Sequence, residues 1–180
     1  MKNKKIMYSV VSILCFVLVN MTNAQNKISN NELTQKKTKE VKMITPNTAF
    51  PVFIVNNIEK AKTFYEKYFD FNVVFENEWY LHLVSNSGIQ VAFMLPDQPT
   101  QPNIYHTKFS GSGVIFSLEV NDADSVYSFA KKQALDIVLD LRSEEWGQRH
   151  FSLKDPNGIY IDIIQAIQPT DEYKQDYEDK

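Results

Sequence analysis

The chain has 180 residues, 43% of them hydrophobic and 13% aromatic, with a formal net charge of −3. That supports one cored domain with appendages and excludes wholesale disorder. The slightly acidic balance supplies no general basic field, which argues against a nucleic-acid partner.

Lys2, Lys4 and Lys5 precede an apolar run from Ile6 to Val19, and Thr22-Asn23-Ala24 follows it. A basic start, an apolar stretch and small residues read as a secretory signal peptide over residues 1–24. The run is short for a membrane span of about 20 apolar residues, although an uncleaved anchor is the competing reading. Cys15 lies inside this run, and Ser12-Ile13-Leu14 lack the small residue of a lipoprotein cleavage site. The mature chain would then carry no disulfide, thiol nucleophile or cysteine metal site. Residues 25–46 are rich in Asn, Lys, Gln, Thr and Glu and read as a flexible linker. Residues 47–168 form the domain. Residues 169–180 read as a loose acidic tail whose two tyrosines could dock.

Phe50 to Val55 is a short apolar run, and Asn57 is placed to cap a helix with Ile58, Ala61, Tyr65 and Tyr68 at helical spacing. Strand-like segments follow at Asn72 to Phe75, Trp79 to Val84 and Ile89 to Leu95, with Ser85-Asn86-Ser87-Gly88 turning between the last two. Residues 96–113 read as a connecting loop. The pattern then recurs. Val114 to Val120 is a strand, and Asp122 caps a helix with Ala123, Val126 and Ala130 on one face. Ile137 to Leu141, Arg149 to Leu153 and Ile159 to Ile164 are strands, the last two joined by Asp155-Pro156-Asn157-Gly158. The caps lie 65 residues apart, and Gly88 and Gly158 lie 70 apart. A nearly constant offset indicates a repeated β-α-β-β-β unit. An ordinary α+β domain with chance similarity between its halves is the competing reading, and the shared order of five elements weighs against it.

Alternation assigns faces. Val114, Phe116, Leu118 and Val120 form an apolar face suited to a helix, while Ile115, Ser117 and Glu119 face a wet or ligand-bearing concavity. Ile159, Ile161 and Ile163 likewise pack on a helix, leaving Tyr160, Asp162 and Ile164 on the concave side. Phe50, Val52 and Ile54 share that side, as do Gln90, Ala92 and Met94. The third strands add Tyr80 and His82, and His150 and Ser152. An aromatic face with scattered polar groups has the composition of a small-molecule pocket. Trp79 and Trp146 offer flat area either to a ligand or to the core. Arg149 could anchor an anion or, in phase with Phe151 and Leu153, cover the core edge. His106 reads as an exposed loop residue. Gly111-Ser112-Gly113 lacks the helix and lysine of a phosphate loop, and no serine sits in a nucleophile elbow.

Paired units ending in Asp155-Pro156-Asn157-Gly158 and then Asp162 resemble the vicinal oxygen chelate superfamily. That group includes glyoxalase I, extradiol dioxygenases, fosfomycin-resistance enzymes and bleomycin-resistance proteins. Trp146-Gly147, Arg149 and Phe151 ahead of Asp155-Pro156 are most similar to the bleomycin-resistance branch. The resemblance spans Thr48 to Gln168. It implies an α+β fold in which paired β-α-β-β-β modules form a cupped, mixed eight-stranded sheet with helices on the outer face. In metal-using members four ligands come from the concave face, at positions that correspond here to Phe50, Ala92, Ile115 and Asp162. A phenyl ring, a methyl and a sec-butyl group offer no lone pair. No metal and no cofactor is therefore expected. His82, His150 and Asp162 would form a different ligand set if all three met in the concavity; otherwise each histidine is a strand residue with a hydrogen-bond partner.

The expectation is an exported, metal-free, non-catalytic protein that binds a small molecule. The first half contributes Phe50, Val52, Tyr80 and His82. The second contributes Glu119, Trp146, His150, Tyr160 and Asp162. No nucleic acid and no membrane attachment after signal cleavage are expected, and the resemblance implies a homodimer with shared pockets. The alternative is a metal-dependent lyase, isomerase or dioxygenase resembling glyoxalase I. A third reading is an envelope protein whose surface binds another protein.

Overall fold

The computed structural model describes residues 43–177. The chain divides into units of residues 1–47 and 48–180, and every described helix and strand lies in the second. The signal-peptide reading falls outside the described residues, as does most of the linker.

The first module comprises β1 (Val52–Ile54), α1 (Ile58–Tyr68), β2 (Phe71–Glu76), β3 (Tyr80–Ser85) and β4 (Gln90–Met94). A connection containing one 3-10 turn, Asn103–Tyr105, leads to the second module. This comprises β5 (Phe116–Glu119), α2 (Ala123–Lys132), β6 (Ile137–Glu144), β7 (Gln148–Lys154) and β8 (Tyr160–Ala166). A short helix, α3 (Asp171–Lys174), follows. The fold is α+β with paired modules, as the repeat implies. Its eight strands are shared between two four-stranded sheets, ordered β1-β4-β3-β2 and β5-β8-β7-β6. In each sheet the opening strand runs parallel to the closing strand and the other pairings are antiparallel. The identical order in both sheets makes the repeat visible in three dimensions.

Local chemistry sets these elements. Asn57 Oδ1 accepts the Lys60 amide at 2.8 Å, and Asp122 Oδ1 accepts the Ser125 amide at 3.0 Å, so each helix begins on a side-chain cap. Each helix is also followed by a residue in the left-handed region, Asp70 at φ 55° and Ala134 at φ 53°.

The helix-facing residues of both sheets enter one buried cluster, in which Tyr65, Phe93, Phe151, Leu153 and Ile161 are almost fully enclosed. Each such side chain contributes about 1.5–3 kcal/mol on burial. Phe53 of β1 links the modules, its ring 6.1 Å from Phe116 and 5.6 Å from Phe109. The Asp155–Gly158 turn completes the joint, because Asn157 Nδ2 donates to the Asn57 carbonyl at 3.1 Å.

Several boundaries differ from the sequence reading. β5 starts at Phe116, and Val114 and Ile115 precede it at 48% and 66% exposure. Gly111 and Gly113, at φ 83° and 82°, turn this stretch, and the pairing with β8 begins only at Phe116 opposite Ile161. β6 runs on to Glu144, three residues past the expected end, by absorbing two register shifts. The tail is partly structured by α3 and by Tyr177, whose hydroxyl donates to the Trp146 carbonyl. His106 is half-buried and bonds through Nε2 to the carbonyls of Gln98 and Gln101 at 3.1 and 2.9 Å.

Candidate functional site

On the sheet face away from the helices, the first module presents an aromatic set. The Phe50 ring lies 4.5 Å from the His82 ring, and His82 Nε2 meets Gln90 Oε1 at 3.0 Å. Gln90 in turn donates to Thr48 Oγ1 at 3.0 Å. Tyr80 packs edge-on between Phe75 and Trp79, and partial burial raises its phenol pKa. Val52 is directly opposite Ala92 in the parallel register and is 42% exposed.

The corresponding face of the second module is polar. Antiparallel pairing sets Ser152 opposite Asp162 and His150 opposite Ile164, which places His150 diagonally beside the acid. His150 Nδ1 lies 3.0 and 3.1 Å from the two Asp162 oxygens, and Ser152 Oγ donates to Asp162 Oδ1 at 2.7 Å. On the other side of the ring, His150 Nε2 lies 3.4 Å from Glu144 Oε1, and Arg142 pairs with that same carboxylate oxygen. His150 is buried, and the side chains of Glu144 and Asp162 retain only 15% and 13% exposure. Such a row costs little to bury because every member has a partner. Tyr160 lies beyond it on β8, and Glu119, paired with Ile164 at the end of β5, is exposed.

Trp146 occupies the β6–β7 turn at 40% exposure, with Nε1 donating to Gln148 Oε1 at 3.2 Å. Trp79 is half-buried just before β3. Arg149 lies on the helix side, where it grips Asp124 through two bonds of 2.6 Å and reaches Ser143 Oγ at 3.0 Å. That bidentate contact holds the Asp124 carboxyl below its ordinary pKa and makes Arg149 a tie between β7 and α2.

Thus the structure brings together His150 and Asp162, with Ser152, and sets Phe50 beside His82. Among the described residues no hydrogen bond or ring contact joins the first module's set to the second's. Each sheet thus carries its own set of side chains. Sequence reasoning missed Glu144 and Arg142, which fall beyond the expected end of β6, and Gln90's role as the partner of His82. A cleft of about 670 Å³ lies on the helix side instead, between α1 and the Gln133–Asp136 and Lys154–Pro156 segments.

The fold family's metal position can be tested against these side chains. The registers correct two of the expected positions: Val52 rather than Phe50 stands opposite Ala92, and Ser117 rather than Ile115 stands opposite Asp162, so two of the four side chains supply no donor and a third supplies only a hydroxyl. Both oxygens of Asp162 are engaged by His150 and Ser152. Glu144 and Asp162 approach opposite nitrogens of one imidazole, so the three cannot converge on one ion. His82 bonds within its own sheet, and among the described residues no three His, Cys, Asp or Glu side chains are grouped to hold a metal. These residues do not fit such an ion.

Residues 48–163 match the model of the Glyoxalase/Bleomycin resistance protein/Dioxygenase superfamily. The chain belongs to that superfamily. No curated protein matches it. A glyoxalase/bleomycin resistance protein/dioxygenase from Nocardioides is 14% identical with a TM-score of 0.61, the match covering 78% of this chain and 94% of that one. A bleomycin resistance determinant encoded on transposon Tn5 is 19% identical with a TM-score of 0.51, over 67% and 98% of the two chains. A bleomycin-binding protein in complex with bleomycin is 20% identical with a TM-score of 0.50, again over 67% and 98%. At these identities the likeness concerns the fold.

Proposed function

We propose that this chain is an exported, metal-independent protein that binds and sequesters a small molecule without converting it. The carrying observation is the self-satisfied row of Glu144, His150, Asp162 and Ser152, in which Asp162, the one carboxylate at an expected ligand position, is already engaged by a histidine and a hydroxyl. Its acids are engaged with a histidine and a hydroxyl, an arrangement that orients a polar ligand. The aromatic half-site of Phe50, Tyr80 and His82 would supply flat apolar contact. The two half-sites fit a homodimer in which each ligand lies between one copy's aromatic face and the other copy's polar face. The basic start, the apolar run and Thr22-Asn23-Ala24 support export, with the mature chain beginning at Gln25. Export favours a ligand met outside the cytoplasm, because sequestering a DNA-cleaving drug is most useful beside the DNA.

The test is native mass spectrometry and elemental analysis of protein purified from its own host. A retained organic molecule without stoichiometric metal is expected. Asp162→Asn should keep the fold and weaken retention. Stoichiometric zinc, nickel, manganese or iron, with a turnover that a chelator abolishes, would overturn the reading in favour of a metal-dependent enzyme.

A further inference from the structure

We propose that Ile167–Tyr177 is a strap that clasps the β6–β7 hairpin and opens with it as one unit, setting how firmly Trp146 is presented. Three successive carbonyls of the hairpin are taken by this segment. The Thr170 amide donates to the Glu145 carbonyl at 2.9 Å, the Tyr177 hydroxyl to that of Trp146, and the Ile167 amide to that of Gly147 at 2.9 Å. Gly147 makes the clasp possible. It stands at φ 99°, and a Cβ there would lie 3.0 Å from both the Ile167 carbonyl oxygen and the Tyr177 hydroxyl oxygen, and 3.3 Å from Pro169 Cβ. Backbone can approach this closely only at glycine.

The strap has little else to hold it. Thr170, Asp171, Glu172, Lys174 and Tyr177 are exposed, and α3 has four residues, too few to stand alone. A segment with few buried apolar contacts opens at low free-energy cost, and groups bonded to each other open together. The same hairpin carries Glu144, whose carbonyl accepts the Gly147 amide at 3.1 Å and whose carboxylate faces His150. Opening therefore loosens the tryptophan and one end of the polar row at once. The functional weight of the strap rests on the binding-site reading above, and its existence does not.

The measurement is amide hydrogen exchange on the full chain and on Tyr177→Phe, which removes one hydroxyl from an exposed ring. The amides of Gly147, Ile167 and Thr170 should speed up together, about fivefold for the loss of one hydrogen bond, while the thermal midpoint falls by no more than a few degrees. In a Trp79→Phe background the fluorescence of Trp146 should become more open to acrylamide quenching. Exchange at those three amides that is unchanged, or that rises only along with global unfolding, would sink the proposal. Neither readout involves a ligand, so the strap stands or falls apart from what the site binds.

Discussion

Asp155 and Asp162 are both acids of the closing hairpin, and their neighbours give them different roles. Asp162 has a histidine and a serine hydroxyl; Asp155 is buried at the joint between modules with one oxygen bonded and one not. Its Oδ1 accepts the amides of Asn157 and Ile159, each at 2.8 Å. Its Oδ2 and the Tyr65 hydroxyl are both buried without a hydrogen-bond partner among the described residues. Burial pushes the Asp155 carboxyl above its ordinary value despite those amides, and burial with the nearby acid pushes the Tyr65 phenol well up. The folded state therefore holds the Asp155 proton more tightly than the unfolded chain. The stability this proton contributes is fully present below the ordinary carboxylate pKa and is lost as pH rises through the folded value. Asp155→Asn keeps an oxygen for the two amides and removes the ionisation. Urea unfolding at pH 4 and pH 7 should show the variant gaining on the natural protein as pH rises. A gain toward acid would mean that the amides and Tyr65 outweigh burial.

The repeat makes a different demand on each helix end. Asp70 and Ala134 both adopt positive φ just after their helices. Asp70 has compensation, because its carboxylate accepts Asn86 Nδ2 at 2.7 and 2.8 Å. Ala134 has a methyl where only a hydrogen is free of strain. Ala134→Gly should stabilise the domain by up to about 1 kcal/mol, measured by chemical unfolding, since relief of the left-handed strain exceeds the added unfolded-state entropy. A loss of stability would show that the turn is held by its surroundings at no cost. Element order was legible in the sequence for related reasons. Asn57 and Asp122 mark helix starts, and Gly88 and Gly158 mark the turns before closing strands. β6 was the exception: bulges between Ile137 and Leu139, and again between Leu139 and Arg142, break the alternation that would have carried the strand to Glu144. The partners of His150 were therefore half hidden, with Asp162 visible from parity and Glu144 not. The joint between modules was also illegible, because nothing in Asp155-Pro156-Asn157-Gly158 says that its Asn157 bonds a residue one hundred positions away.

For the molecule as a whole, the open question is what covers the two solvent-side faces. Phe50, Val52, Val114 and Ile115 are 37%, 42%, 48% and 66% exposed, an apolar set beside the free edges of β1 and β5. Edge strands of three and four residues are short enough to resist indiscriminate pairing, but the apolar side chains beside them still favour a partner. A second copy supplies a matching surface by symmetry, since a two-fold operator can set one copy's aromatic half-site against the other's polar half-site. Such an interface would need to bury about 1,200–2,000 Å² in total to be stable. Sedimentation equilibrium at micromolar concentration should therefore give a dimer. Val52→Glu, which puts a charge on an exposed edge position away from the shared core, should give a monomer with unchanged far-ultraviolet circular dichroism. It should also lose any retained small molecule, because each half-site would then lack its complement. A monomeric natural protein that still retains its ligand would remove the shared-site geometry and place binding within a single chain.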